Sequence, residues 1–328
     1  MPELPEVQTT VNGLNKVLKN HVITDVWTDY YVRTTNKRTD TIKNKKFFEK
    51  FRKELIGEKF LRSERRGKNV LIHFSHNKTV LIHMKMTGHL LYGKYERLRI
   101  ENGPARFESR SDSGGKLRIR EKKETNKEVW RSEEKNLKDP FNQFIHFLIQ
   151  FKNGTSLAFS DMRKFAKVTL IQTDVLREHT DIKMLGPEAN DKKLNWKLFK
   201  KQLLKRPKGK VKTVLMDQSV VAGIGNIYSD EILWASGVHP ERAVETLTDQ
   251  NIRTMLWQAV RILAHSIDVG GDSMSDYRNI YGKRGGYQNS HKAYRRTKQN
   301  CLKRGCRGVI LRKVIGGRSA HFCSVHQK

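Results

Sequence analysis

The sequence has no long apolar run. None of its 328 residues belongs to a stretch of about 18 consecutive apolar residues, the length that a membrane-spanning helix needs. Its N-terminus also lacks a basic region followed by an apolar stretch, the pattern of a secretory signal. We therefore expect a soluble, intracellular protein with no membrane association.

Cysteine is scarce as well. The three cysteines lie close to the C-terminus, as Cys301-x4-Cys306 and then Cys323, which His326 follows at the spacing C-x2-H. So few cysteines exclude a disulfide-stapled scaffold, and their clustering predicts a structural zinc site on a β-hairpin. Cys301, Cys306, Cys323 and His326 are the expected ligands, and His321 is the competing fourth ligand.

Acidic residues are under-represented. The chain has 65 Lys and Arg against 34 Asp and Glu, a formal net charge of +31. A surplus of this size destabilises the compact state unless an anionic partner is near. Nucleic acid is the expected partner, and binding through phosphates should weaken steeply with salt.

The apolar pattern predicts two kinds of structure. Helical spacing after Pro5 predicts a leading helix. Short β-branched runs then predict an antiparallel β-sandwich up to about residue 170, with a hairpin at Asn153-Gly154. These runs are 22–27, 69–74, 79–84, 145–151 and 156–161. Beyond them, 194–204, 226–237 and 247–267 read as helices, and 270–300 reads as a loop region. Thr248 is the expected cap of the last helix.

A highly charged stretch interrupts the predicted sandwich between about Leu91 and Pro140. Its composition favours a solvated insertion or long loop. A role in contacting DNA is left open.

The N-terminal residues could carry chemistry. If Met1 is removed, the nitrogen of Pro2 is a secondary amine that can attack an electrophilic carbon and form an iminium. Glu3 could then act as acid and base, and Glu6 could support the site. By themselves these residues are also an ordinary helix opening. A second candidate is the glycine-rich turn before Asn226, because a helix N-terminus binds phosphate well.

Taken in order, the motifs of the chain resemble those of the bacterial formamidopyrimidine-DNA glycosylases, repair enzymes that remove oxidised purines. The resemblance covers nearly the whole chain outside 93–140. It is carried by PELPEV (2–7), RRGK (65–68), HMKMTG (83–88), DMRKF (161–165), LGPE (185–188), LMDQSVVAGIGNIYSDEILWASGVHP (215–240) and the cysteine-bearing tail. It implies an α+β multidomain fold: an N-terminal catalytic β-sandwich (1–172, with the insertion), a helix-two-turn-helix domain (173–292) and a zinc β-ribbon (293–328).

The resemblance also implies roles for single residues. Pro2 would be the nucleophile, Glu3 the proton donor to the sugar ring oxygen, and Glu6 a buried supporting carboxylate. The iminium would undergo β- and then δ-elimination. Lys68 would contact the phosphate at the lesion.

Further residues match the family's DNA contacts. Met86, Arg163 and Phe165 are expected to fill the space that a flipped base leaves in the DNA. Asn226 and Arg318 are expected to clamp a phosphate of the DNA. Lys212 matches a lysine linked to handling of the damaged base. The rival interpretation for Met86 and Phe165 is sandwich core, and for Arg163 a surface charge. His83 and Tyr228 are expected to pack or to contact phosphate.

The chain departs from the family pattern in its C-x4-C pair and in the histidine as last zinc ligand, where the family has C-x2-C and a cysteine.

The resemblance implies a monomeric bacterial cytoplasmic enzyme with one structural Zn²⁺, acting on double-stranded DNA with oxidised purines or abasic sites. Two alternatives stay open: an endonuclease VIII-like glycosylase for oxidised pyrimidines, whose start usually reads PEGPE, and a non-catalytic zinc-ribbon binder of damaged DNA.

Overall fold

A computed structural model describes residues 1–30, 40–100, 106–111, 117–122, 127–274 and 276–328. The α-helices are Leu4–Val17 (α1), Lys45–Leu55 (α2), Thr180–Lys183 (α3), Trp196–Leu203 (α4), Val211–Met216 (α5), Asn226–Ser236 (α6) and Asp249–Asp268 (α7). The strands are Ile23–Thr28 (β1), Phe60–Arg66 (β2), Asn69–Phe74 (β3), Lys78–His83 (β4), His89–Gly93 (β5), Glu96–Ile100 (β6), Arg106–Ser111 (β7), Leu117–Lys122 (β8), Lys127–Arg131 (β9), Ile145–Phe151 (β10), Ser156–Ser160 (β11), Lys167–Gln172 (β12), Ile310–Ile315 (β13) and Arg318–Cys323 (β14).

Two four-stranded antiparallel sheets form the N-terminal half. Their strand orders are β1-β10-β11-β5 and β12-β4-β3-β2. Alternate apolar residues of both sheets, together with α1 and α2, form one buried core. The predicted β-sandwich with its leading helix is therefore confirmed.

The second half is helical and ends in a β-ribbon. Helices α4 to α7 enclose a separate apolar core, and β13 pairs with β14 in a two-stranded antiparallel ribbon. Thr248 caps α7 as predicted, since its hydroxyl accepts the N–H of Asn251 at 3.1 Å. In the part of the chain that the structure describes, no helix is long and apolar enough to cross a membrane.

Helix α1 belongs to both cores. Leu4, in its first turn, packs among the helices α4 to α7. Val7, Val11 and Leu14, one turn apart on the same face, pack between the sheets instead. The N-terminal segment is thereby held from both sides, and its first residues lie where the two halves of the molecule meet.

The expectation of a loop between Leu91 and Pro140 is wrong for the described residues. Four strands lie there: β6 pairs with β9, and β7 pairs with β8, both antiparallel. The base of this insertion is folded onto the outer face of the first sheet. Trp130 of β9 is 7% exposed and meets Trp27 of β1 edge-to-face, with ring centroids 5.9 Å apart. Strands therefore form in this highly charged stretch, and the buried Trp130 packs its base against β1.

The residues that follow the insertion also contact the C-terminal half. Arg278 donates from Nε to Asp139 Oδ2 at 2.9 Å, and Asn142 Nδ2 donates to the carbonyl of Gly282 at 3.3 Å. The loop after α7 is thus braced by the sandwich as well as by its own helix.

We predict that Trp130→Ala loosens the insertion. Truncating a buried tryptophan should destabilise the sandwich by about 3 kcal/mol and expose 94–140 to limited proteolysis. Denaturant unfolding and mass spectrometry of the proteolytic fragments measure both effects. Leu98→Ala is the control, since Leu98 of the same insertion is 44% exposed. Equal proteolysis of the two variants would show that Trp130 is not the anchor.

Candidate active site

The N-termini of α1 and α6 meet head to head. Glu3, the residue before α1, lies against the first turn of α6, where Oε1 accepts the N–H of Ile227 at 2.9 Å and Oε2 that of Tyr228 at 3.4 Å. A carboxylate suits this place because helix N-termini present free N–H groups and a partial positive charge. The glycine-rich turn therefore receives a carboxylate of this same chain.

Two glycines make this approach possible. A Cβ on Gly225 would lie 2.4 Å from Glu3 Cδ. Gly223 has φ +103°, a conformation that L-residues rarely adopt, and its carbonyl accepts the N–H of Leu4 at 3.0 Å. The sequence AGIG before α6 is thus required by the close approach of the N-terminus.

Glu6 lies at the centre of a buried hydrogen-bond network. It is 1% exposed. Its Oε2 accepts the N–H of Glu3 at 2.8 Å, and its Oε1 accepts the Tyr228 hydroxyl at 2.6 Å and the N–H of Asp272 at 2.7 Å. Burial, reinforced by the nearby Glu3 carboxylate, raises the pKa of Glu6 to about 7. Glu6 can therefore hold or release a proton near neutral pH.

Sequence reasoning missed three members of this network. Tyr228 is fully buried, so it cannot contact phosphate, one of its two expected roles; it packs in the helical core and hydrogen-bonds Glu6. Its hydroxyl also lies 2.5 Å from Ser266 Oγ on α7. Asp272 follows the pair Gly270-Gly271, both with positive φ. Those two glycines were the one available signal that the chain turns back toward the N-terminus here.

A cavity of about 320 Å³ opens beside Glu3. Met1, Lys68, His83 and Met86 line it, together with residues of α6, the 272–274 loop and the ribbon. A volume near 300 Å³ is at the lower end for ligand sites and suits one small group such as a nucleotide base. Met1 is one of the lining residues and is 37% exposed, so its removal would open the space next to the nitrogen of Pro2.

Two basic side chains in the cavity wall are perturbed by burial. Burial lowers the pKa of Lys68, with Arg318 adding to the effect and Glu3 and Glu6 opposing it. Burial, with Lys85 and Lys68 nearby, lowers the pKa of His83 to about 3, so its imidazole is neutral. Lys68 therefore brings the cationic side chain closest to the two carboxylates, while His83 contributes a neutral wall.

Asn226 and Arg318 lie together as the motifs implied. Both line the cavity and also a second, more polar basin of about 670 Å³, to which Arg295 and Arg312 contribute. Asn226 Oδ1 is buried and has no hydrogen-bond partner among the described residues. An amide group beside several guanidinium groups is suited to a phosphate, while the N–H groups of Ile227 and Tyr228 in the first turn of α6 donate to Glu3 instead.

Arg163 and Phe165 lie on the surface rather than in the sandwich core. Phe165 is 50% exposed, and the Arg163 guanidinium lies 4.4 Å from its ring centroid. Met86 is half-buried at the cavity wall. The alternative interpretation of Phe165 as core is wrong.

The expected place of Lys212 needs correction. Its side chain is fully buried and ion-pairs with Asp230 Oδ1 at 2.6 Å, and Nζ also lies 3.4 Å from the carbonyl of Asn226. A side chain so enclosed does not face DNA. Lys212 instead holds the first turn of α6, and with it Asn226, in place.

The C-terminal cysteines and one histidine form a cluster. The ligand atoms of Cys301, Cys306, Cys323 and His326 lie within 4.8 Å of one another, a donor set and spacing that a tetrahedral metal ion fits. His321 is not part of it, because its Nδ1 lies 2.9 Å from Asp230 Oδ2. Of the two candidate histidines, His326 is the one that lies with the three cysteines.

Neighbouring groups orient the cluster. His326 Nε2 lies 2.9 Å from the carbonyl of Trp234, which leaves Nδ1 facing Cys301 Sγ at 3.3 Å. Trp234 also donates from its indole N–H to Cys301 Sγ at 3.3 Å. Such contacts fix the tautomer and direction of a ligand, and they join the cluster to the C-terminal half of α6.

Stability should depend on the ionisation of Glu6. The pKa of Glu6 is near 7 in the folded chain and near 4.5 when unfolded, so the folded state binds the extra proton between these values. The free energy of unfolding of the wild type should then fall between about pH 5 and pH 7 by on the order of 3 kcal/mol relative to Glu6→Gln. Urea unfolding at several pH values measures this. Glu245→Gln, at an exposed site, should parallel the wild type; parallel curves for Glu6→Gln as well would contradict the assignment.

Comparison with known proteins supports one family. The chain matches the model for the formamidopyrimidine-DNA glycosylase N-terminal domain over residues 1–168 and the model for the formamidopyrimidine-DNA glycosylase H2TH domain over 185–278. It is 32% identical over 323 residues to the formamidopyrimidine-DNA glycosylase of Ligilactobacillus salivarius, covering 98% of this chain and 97% of that protein. The Bacillus subtilis enzyme of the same name is 30% identical, with 99% and 98% covered.

Solved structures agree. A complex between Lactococcus lactis Fpg and DNA containing an abasic site superposes with a TM-score of 0.76 at 27% identity, with 99% of each chain covered. A complex of a mutant of that protein with DNA containing Fapy-dG gives the same TM-score and covers all of both chains. The resemblance seen in the motifs is confirmed, and the chain belongs to the formamidopyrimidine-DNA glycosylase family, the DNA glycosylases of base excision repair.

Proposed function

We propose that this chain is a bifunctional glycosylase and lyase that removes oxidised purines, 8-oxoguanine and formamidopyrimidines, from double-stranded DNA and then cleaves the strand. The observation that carries the proposal is the position of Glu3, the residue next to Pro2 in the chain. Glu3 accepts a hydrogen bond from the N-terminus of α6 and lines a base-sized cavity, and Asn226 and Arg318 line both this cavity and the basic basin. One chain supplies every element of this site, which supports action as a monomer.

Pro2 is the proposed nucleophile once Met1 has been removed. Its secondary amine attacks C1′ of the damaged nucleotide, the bond from C1′ to the base breaks, and the base leaves with the electron pair of that bond. Glu3 is placed to take the proton from the attacking nitrogen and to return it to the sugar ring oxygen as the bond from C1′ to that oxygen breaks. The lone pair of the nitrogen then forms the double bond of the iminium, and the sugar ring is open. Loss of the protons on C2′ and then C4′ from the resulting iminium expels the two phosphates in turn, leaving a gap of one nucleotide.

Glu6 is proposed to support this chemistry without touching the substrate. Through the N–H of Glu3 it fixes the backbone that carries both reacting residues. Its raised pKa also lets the pair of carboxylates avoid carrying two charges at once in a buried site. Glu6 therefore keeps the Pro2-Glu3 segment in one position as the charge on the sugar changes.

The basic side chains are proposed to hold an extruded nucleotide. Asn226 and Arg318 would bind its phosphate at the α6 N-terminus, and Lys68 would reach the phosphate from the cavity. The exposed stack of Arg163 on Phe165, with Met86 beside it, would fill the space that the base leaves in the duplex. Such a wedge offsets part of the few kcal/mol that unstacking costs. Lys212 would contribute indirectly, because its contact with the carbonyl of Asn226 holds Asn226 in place.

We further propose that the C-terminal cluster binds one structural Zn²⁺. Three thiolates and one imidazole are a common zinc donor set. Bound zinc would cross-link the segment before β13 to the end of β14, at the end of the ribbon opposite its turn, and Arg318 begins β14 at that turn. Zinc would therefore contribute to folding of the ribbon and to the placement of the phosphate-binding arginine, with no part in the chemistry.

The nucleophile can be tested by borohydride trapping. With a duplex carrying 8-oxoguanine opposite cytosine, the wild type should give a covalent protein–DNA adduct whose DNA maps to the peptide that begins with Pro2. Replacing Pro2 by Gly exchanges a rigid secondary amine for a flexible primary amine, so trapping should slow by roughly 10-fold or more, whereas Pro5→Ala should keep the wild-type rate.

Two further measurements make this test decisive. Intact mass shows whether Met1 has left, and protein that retains it should not be trapped, because the Pro2 nitrogen is then an amide. A thymine glycol duplex should give less adduct than 8-oxoguanine. Absence of any adduct from Met1-free protein would refute the glycosylase–lyase mechanism, and preference for thymine glycol would overturn the purine assignment.

Metal binding can be tested with two histidine variants. Purified wild type should contain one zinc per chain by elemental analysis, and a strong chelator should remove it together with most affinity for duplex DNA. His326→Ala should weaken zinc binding by roughly 10-fold or more because it removes a ligand, whereas His321→Ala should keep one zinc. Loss of zinc from His321→Ala alone would show that the ligand set is wrong.

A further inference from the structure

A histidine and an aspartate are buried as a pair behind the two catalytic carboxylates. The side chains of His291 and Asp272 are 3% and 4% exposed, and Nε2 lies 2.7 Å from Oδ2. The distance is that of an ion pair, although the ring is not aligned for a hydrogen bond to this oxygen. The proposed mechanism uses neither side chain.

The pair is linked to Glu6 through the backbone of Asp272. The N–H of Asp272 donates to Glu6 Oε1 at 2.7 Å, while its own Oδ1 accepts the N–H of Met274 at 3.0 Å. Asp272 and Met274 both line the cavity beside Glu3. One residue therefore connects His291 to the catalytic network and to the cavity wall.

Packing alone does not explain these two residues. Aromatic rings enclose His291, with Tyr287 and Tyr294 edge-to-face at 5.5 Å and 5.4 Å, so an apolar side chain would fill its place. A carboxylate as buried as that of Asp272 costs several kcal/mol unless a partner compensates it. The histidine supplies that partner within the described residues.

Other titratable groups surround the pair. Glu231 of α6 faces His291, and its carboxylate accepts the N–H groups of Lys292, Ala293 and Tyr294. Arg296 contacts the carbonyl of His291 at 3.5 Å. Around Glu6 lie Glu3, Tyr228, Tyr277, Tyr287 and the ammonium of Lys68. Because Glu231 has three backbone donors of its own, Asp272 is the carboxylate that depends on His291.

We propose that His291 is a positioning residue for the base-excision reaction: by pairing with Asp272 it holds the 270–274 loop so that the Asp272 N–H stays on Glu6. This inference rests on the proposed role of Glu6 beside Pro2 and Glu3. Without the imidazole, the Asp272 carboxylate would turn toward solvent and draw its backbone away. The ionised carboxylate of Glu6 would then lose one hydrogen-bond donor, and this loss raises the pKa of Glu6 further.

The test compares His291→Leu with His265→Leu, a control that also contacts Tyr287 edge-to-face but is exposed. His291→Leu should slow single-turnover adduct formation by roughly 10- to 100-fold, the cost of a small misplacement. It should also move the midpoint of the pH–rate profile associated with Glu6 to higher pH. The part of the pH–rate profile that belongs to Glu6 is the part that is missing in Glu6→Gln. His265→Leu should change neither.

A double variant separates positioning from packing. Asp272→Asn keeps the size of the side chain and removes its charge, so the double variant Asp272→Asn, His291→Leu should recover much of the rate that His291→Leu loses. If His291 only fills space, the double variant should be no faster than His291→Leu. That result, or an unshifted pH profile in His291→Leu, would overturn the inference.

Amide hydrogen exchange gives a readout that does not require activity. In His291→Leu the segment 270–274 should exchange at least about 10-fold faster than in the wild type, while His265→Leu should leave it unchanged. If the wild type gives no borohydride adduct, the proposed mechanism fails, and exchange alone decides whether His291 positions the loop. Unchanged exchange in His291→Leu would refute the positioning role in either case.

Discussion

The structure depends on the contact between the N-termini of α1 and α6. The first N–H groups of a helix have no acceptor within the helix, and here the two segments supply acceptors for each other. The Glu3 carboxylate accepts an N–H of α6, and the carbonyl of Gly223 accepts the N–H of Leu4. The Glu6 carboxylate accepts the N–H of Glu3. This arrangement fixes a segment that is frayed in most proteins. It also places two carboxylates that are both buried, of which Glu3 lines the cavity and Glu6 lies behind it.

Other parts of the molecule preserve that contact. α1 contributes to the sandwich core and to the helical core, so the two halves cannot separate without exposing it. Asp230 of α6 pairs with Lys212 of α5 and with His321 of the ribbon, all three buried. Because removal of one partner from such a group costs several kcal/mol, the helix, its N-terminal turn and the ribbon behave as one unit. Asn226 and Arg318, the residues proposed to bind phosphate, are thereby placed relative to Glu3.

Sequence reasoning succeeded where a pattern is local. Short β-branched runs predicted the central strands, helical spacing predicted α1, α6 and α7, and cysteine clustering predicted that the three thiols and a histidine of the tail lie together. It failed where long-range contacts decide. The charged insertion forms strands, and Trp130 at its base packs on Trp27 of β1. Lys212 matched a motif for handling the damaged base, but its ammonium forms an ion pair with the buried Asp230 in the interior. Neither partner is visible from neighbouring residues in the sequence.

The sequence by itself determined the family, the order of the elements and the residue types of the site, because motifs such as PELPEV, DMRKF and the spaced cysteines survive as short contiguous patterns. The choice of His326 over His321 and the exposure of Phe165 came only from the tertiary structure. So did the network of Glu6 with Tyr228 and Asp272, which joins residues more than 200 positions apart. Burial and pairing across such separations set the proton affinity of Glu6, and they depend on how the whole chain packs rather than on any local stretch of it.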